Sequence, residues 1–143
     1  MGLSLNTGWL GGCVAEVWLA GRPWIPVLGG TAAALFMIGM ALRYWTIRTL
    51  GGRWSTRVLA LPCEPLVSAG PFRWLRHPNY LGEIMIYGSF ALMVWHWLPV
   101  VVLAWVWLGL FAVNMAMKEA SMSRYPEWAD YRKRTWWLVP FVV

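Results

Sequence analysis

No charged side chain interrupts the chain from Trp24 to Leu42. At 1.5 Å per residue, a helix through this run and on to Trp45 would cross a hydrocarbon core about 30 Å thick. Trp24 at one end, with Tyr44 and Trp45 at the other, suit the two membrane interfaces. Pro23 and Pro26 suit the first turn, where a missing N–H has no intrahelical acceptor to lose. Trp97–Met117 is a second uncharged stretch, and Tyr80–Trp95 is apolar except for Glu83. The break His96-Trp97-Leu98-Pro99 predicts a tight turn joining these two as antiparallel helices. Residues 5–20 are harder to read. They carry Glu16 and three glycines, and fit either a short fourth span or an interfacial helix. The predicted fold is all-α, a single-domain integral membrane helical bundle over 1–143 with three to four spans. A connector over 46–79 and a tail over 118–143 lie outside the spans.

Composition supports a membrane protein. The chain is 59% hydrophobic and 13% charged, with thirteen Trp, where a soluble domain has roughly a quarter of its residues charged. Its net charge of +6 is not the mark of a nucleic-acid binder, because such a protein would not carry these apolar runs. With a helix pair between Tyr80 and Met117, every one of the twelve Lys and Arg residues except Arg22 falls on one side. The positive-inside rule makes that side cytoplasmic. Connector and tail are therefore cytosolic, in an inner (cytoplasmic) membrane protein. Cys13 and Cys63 form neither a metal-ligand spacing nor a disulfide framework. Met1–Thr7 has no basic region of the kind that opens a cleavable signal.

Chemistry concentrates in two polar stretches that the hairpin brings to one face. In the first, Arg76-His77-Pro78-Asn79-Tyr80 stands at the mouth of a membrane helix, with Pro78 in its first turn. Asn79, Glu83 and Tyr87 then recur every four residues, a polar stripe running into the apolar zone. An ionisable residue in a membrane helix marks a functional site by default. The alternative for Glu83 is a structural clamp to Arg76 or Arg73, and for Arg76 and His77 it is snorkelling toward headgroups. In the second stretch, Glu119 leaves the last span facing the same mouth as His77. Tyr125-Pro126-Glu127-Trp128-Ala129-Asp130-Tyr131 alternates aromatics with acids too richly for a solvated tail, so it should dock back on the bundle. Trp136-Trp137-Leu138-Val139-Pro140-Phe141 reads as an interfacial anchor. His77 and His96 fall at opposite ends of one helix, so no metal site is expected. Nucleotide-loop, nucleophile-elbow and zinc-protease motifs are missing from the sequence.

The run Gly-Pro-Phe-Arg-Trp-Leu-Arg-His-Pro-Asn-Tyr-Leu-Gly at 70–82, with Glu119 and the Tyr-x-x-Arg at 131–134, resembles the isoprenylcysteine carboxyl methyltransferase family, which also includes phospholipid methyltransferases. Residues 43–51 and 54–57 look like its small bacterial branch. The resemblance runs from about Trp9 to the C-terminus. It implies an S-adenosyl-L-methionine-dependent enzyme without a Rossmann domain, with the C-terminal segment docked on the cofactor mouth. It further implies that His77, Pro78, Asn79, Tyr80, Leu81, Gly82, Glu119, Tyr131 and Arg134 line or close the cofactor pocket. Arg76 and Arg73 would orient the acceptor, Arg43 and Tyr87 would contact it, and His77, Arg76 and Glu83 would form the catalytic group. Three departures stand out: Lys118-Glu119 replaces two adjacent acids, Tyr125-Pro126 replaces a Phe-Gly, and related chains tend to begin further upstream.

The expected reaction is methyl transfer, with O-methylation favoured, to a membrane lipid or lipidated small-molecule acceptor, prenylated or phenolic. A carboxylate acceptor needs no base, whereas a phenol would need His77 or Glu83. Two rivals remain. Asn79-Tyr80-Leu81-Gly82-Glu83 and Val139-Pro140-Phe141 also resemble the C-terminal domain of NADPH-dependent steroid 5α-reductases, and a non-catalytic membrane protein is the other reading. Expected partners are the bilayer and the acceptor, without nucleic acid; a homo-oligomer is left open.

Overall fold

The computed structural model describes residues 25–53, 66–94, 105 and 109–139. The residue 5–20 reading and the turn at His96–Pro99 lie outside these. Four α-helices occur among the described residues: α1 (Pro26–Leu50), α2 (Pro78–Val94), α3 (Gly109–Met122) and α4 (Trp128–Arg134). Short 3₁₀ turns cover Gly51–Arg53 and Gly70–Arg73, and among the described residues no strand is longer than an isolated bridge.

Pro26 opens α1 after the extended residue Ile25. Its 25 residues reach about 37 Å at 1.5 Å per residue. With the following 3₁₀ turn it is, among the described residues, the helix long and apolar enough to cross a membrane. The helix does not stop at Trp45 as the sequence suggested. Thr46, wholly buried, bonds back to the Leu42 carbonyl at 2.8 Å, Thr49 bonds to Trp45 at 2.8 Å, and the turns continue to Gly51. Val27, Met37, Ile38 and Met40 are exposed on this helix. Such a surface opposes water at about 25 cal/mol per Å² of apolar area, a penalty that vanishes in hydrocarbon.

The contact of α1 with α2 rests on two glycines. A Cβ on Gly39 would lie 2.8 Å from the Gly82 carbonyl oxygen, and a Cβ on Gly82 would lie 2.9 Å from that of Gly39. The backbones therefore touch, as small residues allow where helices cannot rely on water to drive them together. Phe36 and Phe90 meet edge to face further along, with centroids 5.8 Å apart.

Gly70 adopts φ +56° with the Thr49 side chain against it, so a side chain there would be both strained and blocked. The 3₁₀ turn it begins thus tucks against the end of α1. Residues 128–138 are tied to the same turn. Arg76 N–H donates to the Trp136 carbonyl at 2.9 Å, and Trp136 N–H donates to that of Trp74 at 2.8 Å. Tyr131 Oη donates to the Phe72 carbonyl at 2.9 Å. Trp128 and Tyr131 are buried, and Trp137 and Leu138 pack on a core of Tyr80, Tyr87, Phe111 and Met115. Trp137 is thereby a core-packing residue, where the sequence suggested an interfacial anchor. The third helix also outruns its expected end at Met117, carrying Lys118 and Glu119 on helical backbone to Met122.

Candidate active site at the start of the second helix

The Leu81 N–H donates to the His77 carbonyl at 3.2 Å, so His77 sits at the cap of α2 with Pro78 as the first helical residue. That position faces the positive end of the helix dipole, which disfavours a charged imidazole. His77 is 3% exposed. Burial pulls its pKa below the usual 6.5, and the hydrogen bond to Glu119 opposes this without reversing it.

Helix α3 brings Glu119 to this imidazole, with Nε2 and Oε1 3.3 Å apart. Burial alone would raise the Glu119 pKa, but the His77 bond and the Arg76 charge leave it below the usual carboxylate range. An ionised carboxylate only accepts, so His77 Nε2 carries the hydrogen and Nδ1 keeps the basic lone pair when the ring is neutral. Arg76 Nη1 lies 3.3 Å from the same Oε1. That contact is ionic, without hydrogen-bond alignment, and Arg76 Nε likewise has no hydrogen-bond partner among the described residues. Arg76 is 6% exposed, so these are buried donors left unsatisfied, a costly state that a bound group would relieve. The buried Asn79 Oδ1 is an acceptor in the same condition.

Tyr80 stands beside His77, with ring centroids 5.9 Å apart, and Lys118 Nζ lies 5.1 Å over the Tyr80 ring. Burial lowers the Lys118 pKa, and Glu83 partly offsets this. Trp137 meets the His77 ring edge to face at 6.3 Å. Trp137 escaped the sequence reading as a site residue, and Lys118 entered it only as a departure from a family pattern. The Lys-Glu pair leaving an apolar helix was the available signal for Lys118; its burial was not visible there.

Other expected site residues lie elsewhere or serve other contacts. Glu83 pairs with Arg43 and accepts from Asn79 Nδ2 at 3.3 Å. Its clamp is therefore Arg43, not the expected Arg76 or Arg73, because α1 crosses directly over Gly82. That crossing also explains Gly82, whose missing side chain admits α1. Tyr87 is buried in the core with Phe111 and Met115. Leu81 is half-buried and Pro78 fully buried. Arg73 is exposed over the Trp74 ring at 5.5 Å. Tyr131 spends its hydroxyl on the Phe72 and Leu75 carbonyls, and burial holds that hydroxyl protonated. Arg134 is exposed, bonded through Nε to the Asp130 carbonyl at 3.2 Å. It borders a groove of about 170 Å³ with Leu66, Ser68, Glu127 and Tyr131, away from His77. A larger open groove, about 480 Å³, lies at the end of α1 between Thr49, Arg53 and Ser68. Among the described residues, no three His, Cys, Asp or Glu side chains gather as a metal site.

The arrangement of these helices has a counterpart among solved structures. The chain matches the structure of a eukaryotic intramembrane Ras methyltransferase (isoprenylcysteine carboxyl methyltransferase) with a TM-score of 0.75 at 18% identity, covering 96% of this chain and 51% of that one. The isoprenylcysteine carboxyl methyltransferase (ICMT) family matches residues 32–124, and the chain belongs to that family. It is 36% identical over 72 residues to an uncharacterised Bacillus subtilis protein, YpbQ, covering 50% of this chain and 42% of that protein. It is also 26% identical over 125 residues to a steroid 5-alpha-reductase of Solanum lycopersicum, DET2, covering 83% of this chain and 44% of that enzyme. The chain thus spans about half the length, or less, of the relatives it matches.

Proposed function

We propose that this protein is an integral-membrane methyltransferase that uses S-adenosyl-L-methionine to methylate an oxygen of a lipid or lipidated acceptor, with its site open to the cytoplasmic side. The observation that carries this reading is the meeting of His77, Arg76 and Glu119 at the start of α2, within a family named for methyl transfer. The residues present fit the cofactor. Glu119, an ionised carboxylate, suits its amino group or sulfonium, and unsatisfied Arg76 Nε and Asn79 Oδ1 suit its carboxylate and a polar hydrogen. Tyr80 and Leu81 supply the wall beside them. When bound, the cofactor supplies a methyl group made electrophilic by the adjacent positive sulfur.

The chain's own contribution is orientation and dryness. His77 and Arg76 are almost fully buried, so charges here act in a low dielectric and reactants are held with little freedom. A carboxylate acceptor reacts as it is. For a phenol, His77 Nδ1 takes the proton, because its lowered pKa keeps the ring neutral near pH 7. Glu83, engaged by Arg43 and Asn79, is the weaker base candidate. The tail segment from Trp128 to Leu138 closes over the same mouth, and the acceptor slides in between helices from the bilayer.

Calorimetry on detergent-purified protein tests the reading. Heat with S-adenosylhomocysteine and none with NADPH is expected. The reverse result would make the protein a reductase, as the partial match to DET2 would favour, and silence with both would leave a non-catalytic membrane protein. With labelled cofactor and a lipid extract, His77→Ala should abolish methyl incorporation. Wild-type turnover in that variant removes His77 from the chemistry.

A further inference from the structure

The charged groups at the start of α2 do not balance. Arg43 is neutralised by Glu83, and Arg76 shares Glu119 with a histidine that burial keeps neutral. Lys118 is left over. Its ammonium is half-buried against the face of Tyr80; the Glu83 carboxylate, already paired with Arg43, attracts it from a distance, but it makes no hydrogen bond or ion pair among the described residues. Three cations therefore stand against two carboxylates, and exposed Arg132 adds further positive potential at Glu119. A ring face stabilises an ammonium by less than the hydration that burial removes. The arrangement is complete only when a negative group arrives next to Tyr80.

We propose that Lys118 is an acceptor-binding residue, holding the anionic oxygen of a carboxylate or phenolate and disfavouring amine acceptors. This rests on the methyltransferase reading and deepens it. A sulfonium in this site would bring another positive charge, so an amine that arrives protonated would be repelled, whereas an oxyanion is drawn in. In the transfer, the acceptor oxygen forms the new O–C bond with its own electron pair. The S–C bond breaks with its pair remaining on sulfur, leaving a neutral thioether and a neutral ester or ether. Both charges disappear at the reacting atoms. Lys118 then faces an uncharged product, and the same residue that captures the substrate loses its hold on what leaves.

Binding experiments on purified protein in nanodiscs would test this with three probes: N-acetyl-S-farnesylcysteine, its carboxamide, and a long-chain alkylresorcinol at a pH where it is partly ionised. S-Adenosylhomocysteine binding is measured beside them. K118Q should weaken the carboxylate probe about tenfold or more, the loss expected for one charge-assisted hydrogen bond. Carboxamide and S-adenosylhomocysteine affinities should stay within about twofold, and K118R should restore most of the anion binding, since the charge is kept. Carboxylate binding unchanged in K118Q overturns the proposal. So does a wild type that binds S-adenosylhomocysteine but neither anionic probe, and so does a K118Q variant that loses cofactor and acceptor affinity together. A wild type that fails to bind S-adenosylhomocysteine at all strikes instead at the methyltransferase reading.

Discussion

The crossing of α1 over α2 and the cluster at the cap of α2 lie within a turn or two of each other, yet they are built on opposite terms. At the crossing, two glycine backbones touch and the one acid is matched by one arginine. Nothing there awaits a partner. At the cap, Arg76 and Asn79 hold buried atoms without hydrogen bonds, and Lys118 rests on a ring face without a hydrogen bond or ion pair among the described residues. The first region is finished by folding, whereas the second is finished by binding. In a small membrane domain the settled contact is what allows the unsettled one to persist.

Breaking the crossing should give the largest stability effects. Glu83→Ala would leave the part-buried Arg43 without its carboxylate and destabilise the protein by about 2–3 kcal/mol, somewhat below the scale for a fully buried pair. The double variant with Arg43→Met should recover much of that, as read from thermal midpoints in detergent. A double variant no better than the single one would show that the pair is not a local unit. Gly82→Ala comes next, at about 2 kcal/mol, because the neighbouring atom is backbone and cannot swing aside.

The cap should respond differently. Glu119→Gln is expected to weaken S-adenosylhomocysteine about tenfold, while lowering the thermal midpoint less than Gly82→Ala does. The opposite ranking would make Glu119 a structural residue. The smallest effect is a pH slope. The folded-state pKa of His77 is depressed, so between that value and 6.5 the unfolded chain takes up a proton that the folded one refuses. The stability linked to His77 is therefore complete above pH 6.5 and declines on acidification. Glu119, also depressed, acts in the same direction at lower pH. His77→Gln should flatten the slope between pH 7 and pH 5, and an unchanged slope would assign it to other groups.

The comparison also separates what could be read from the residues alone. Uncharged runs announced the described helices, Pro78 announced the start of α2, and Glu119 was expected near His77, where the structure has it. These depend on hydropathy and backbone rules that act locally. The partner of Glu83 did not follow, because it depends on how α1 is rotated over Gly82, and one helix's periodicity says nothing of its neighbour's azimuth. Helix ends were also misjudged. Helix α1 runs past the residues that looked like a boundary and closes only at Gly51, whose positive φ ends it with its N–H on the Ile47 carbonyl. Arg134 and Arg73 looked like ligands by type, but their exposure was decided by packing around Tyr131 and Trp74.

The backbone amide of Arg76 is fastened to the carbonyl of Trp136, sixty positions downstream. A guanidinium meant to meet a ligand is thus splinted by the far end of the polypeptide. Clipping the chain ahead of Trp128 would spare α1, α2 and α3 and still take the splint off that arginine.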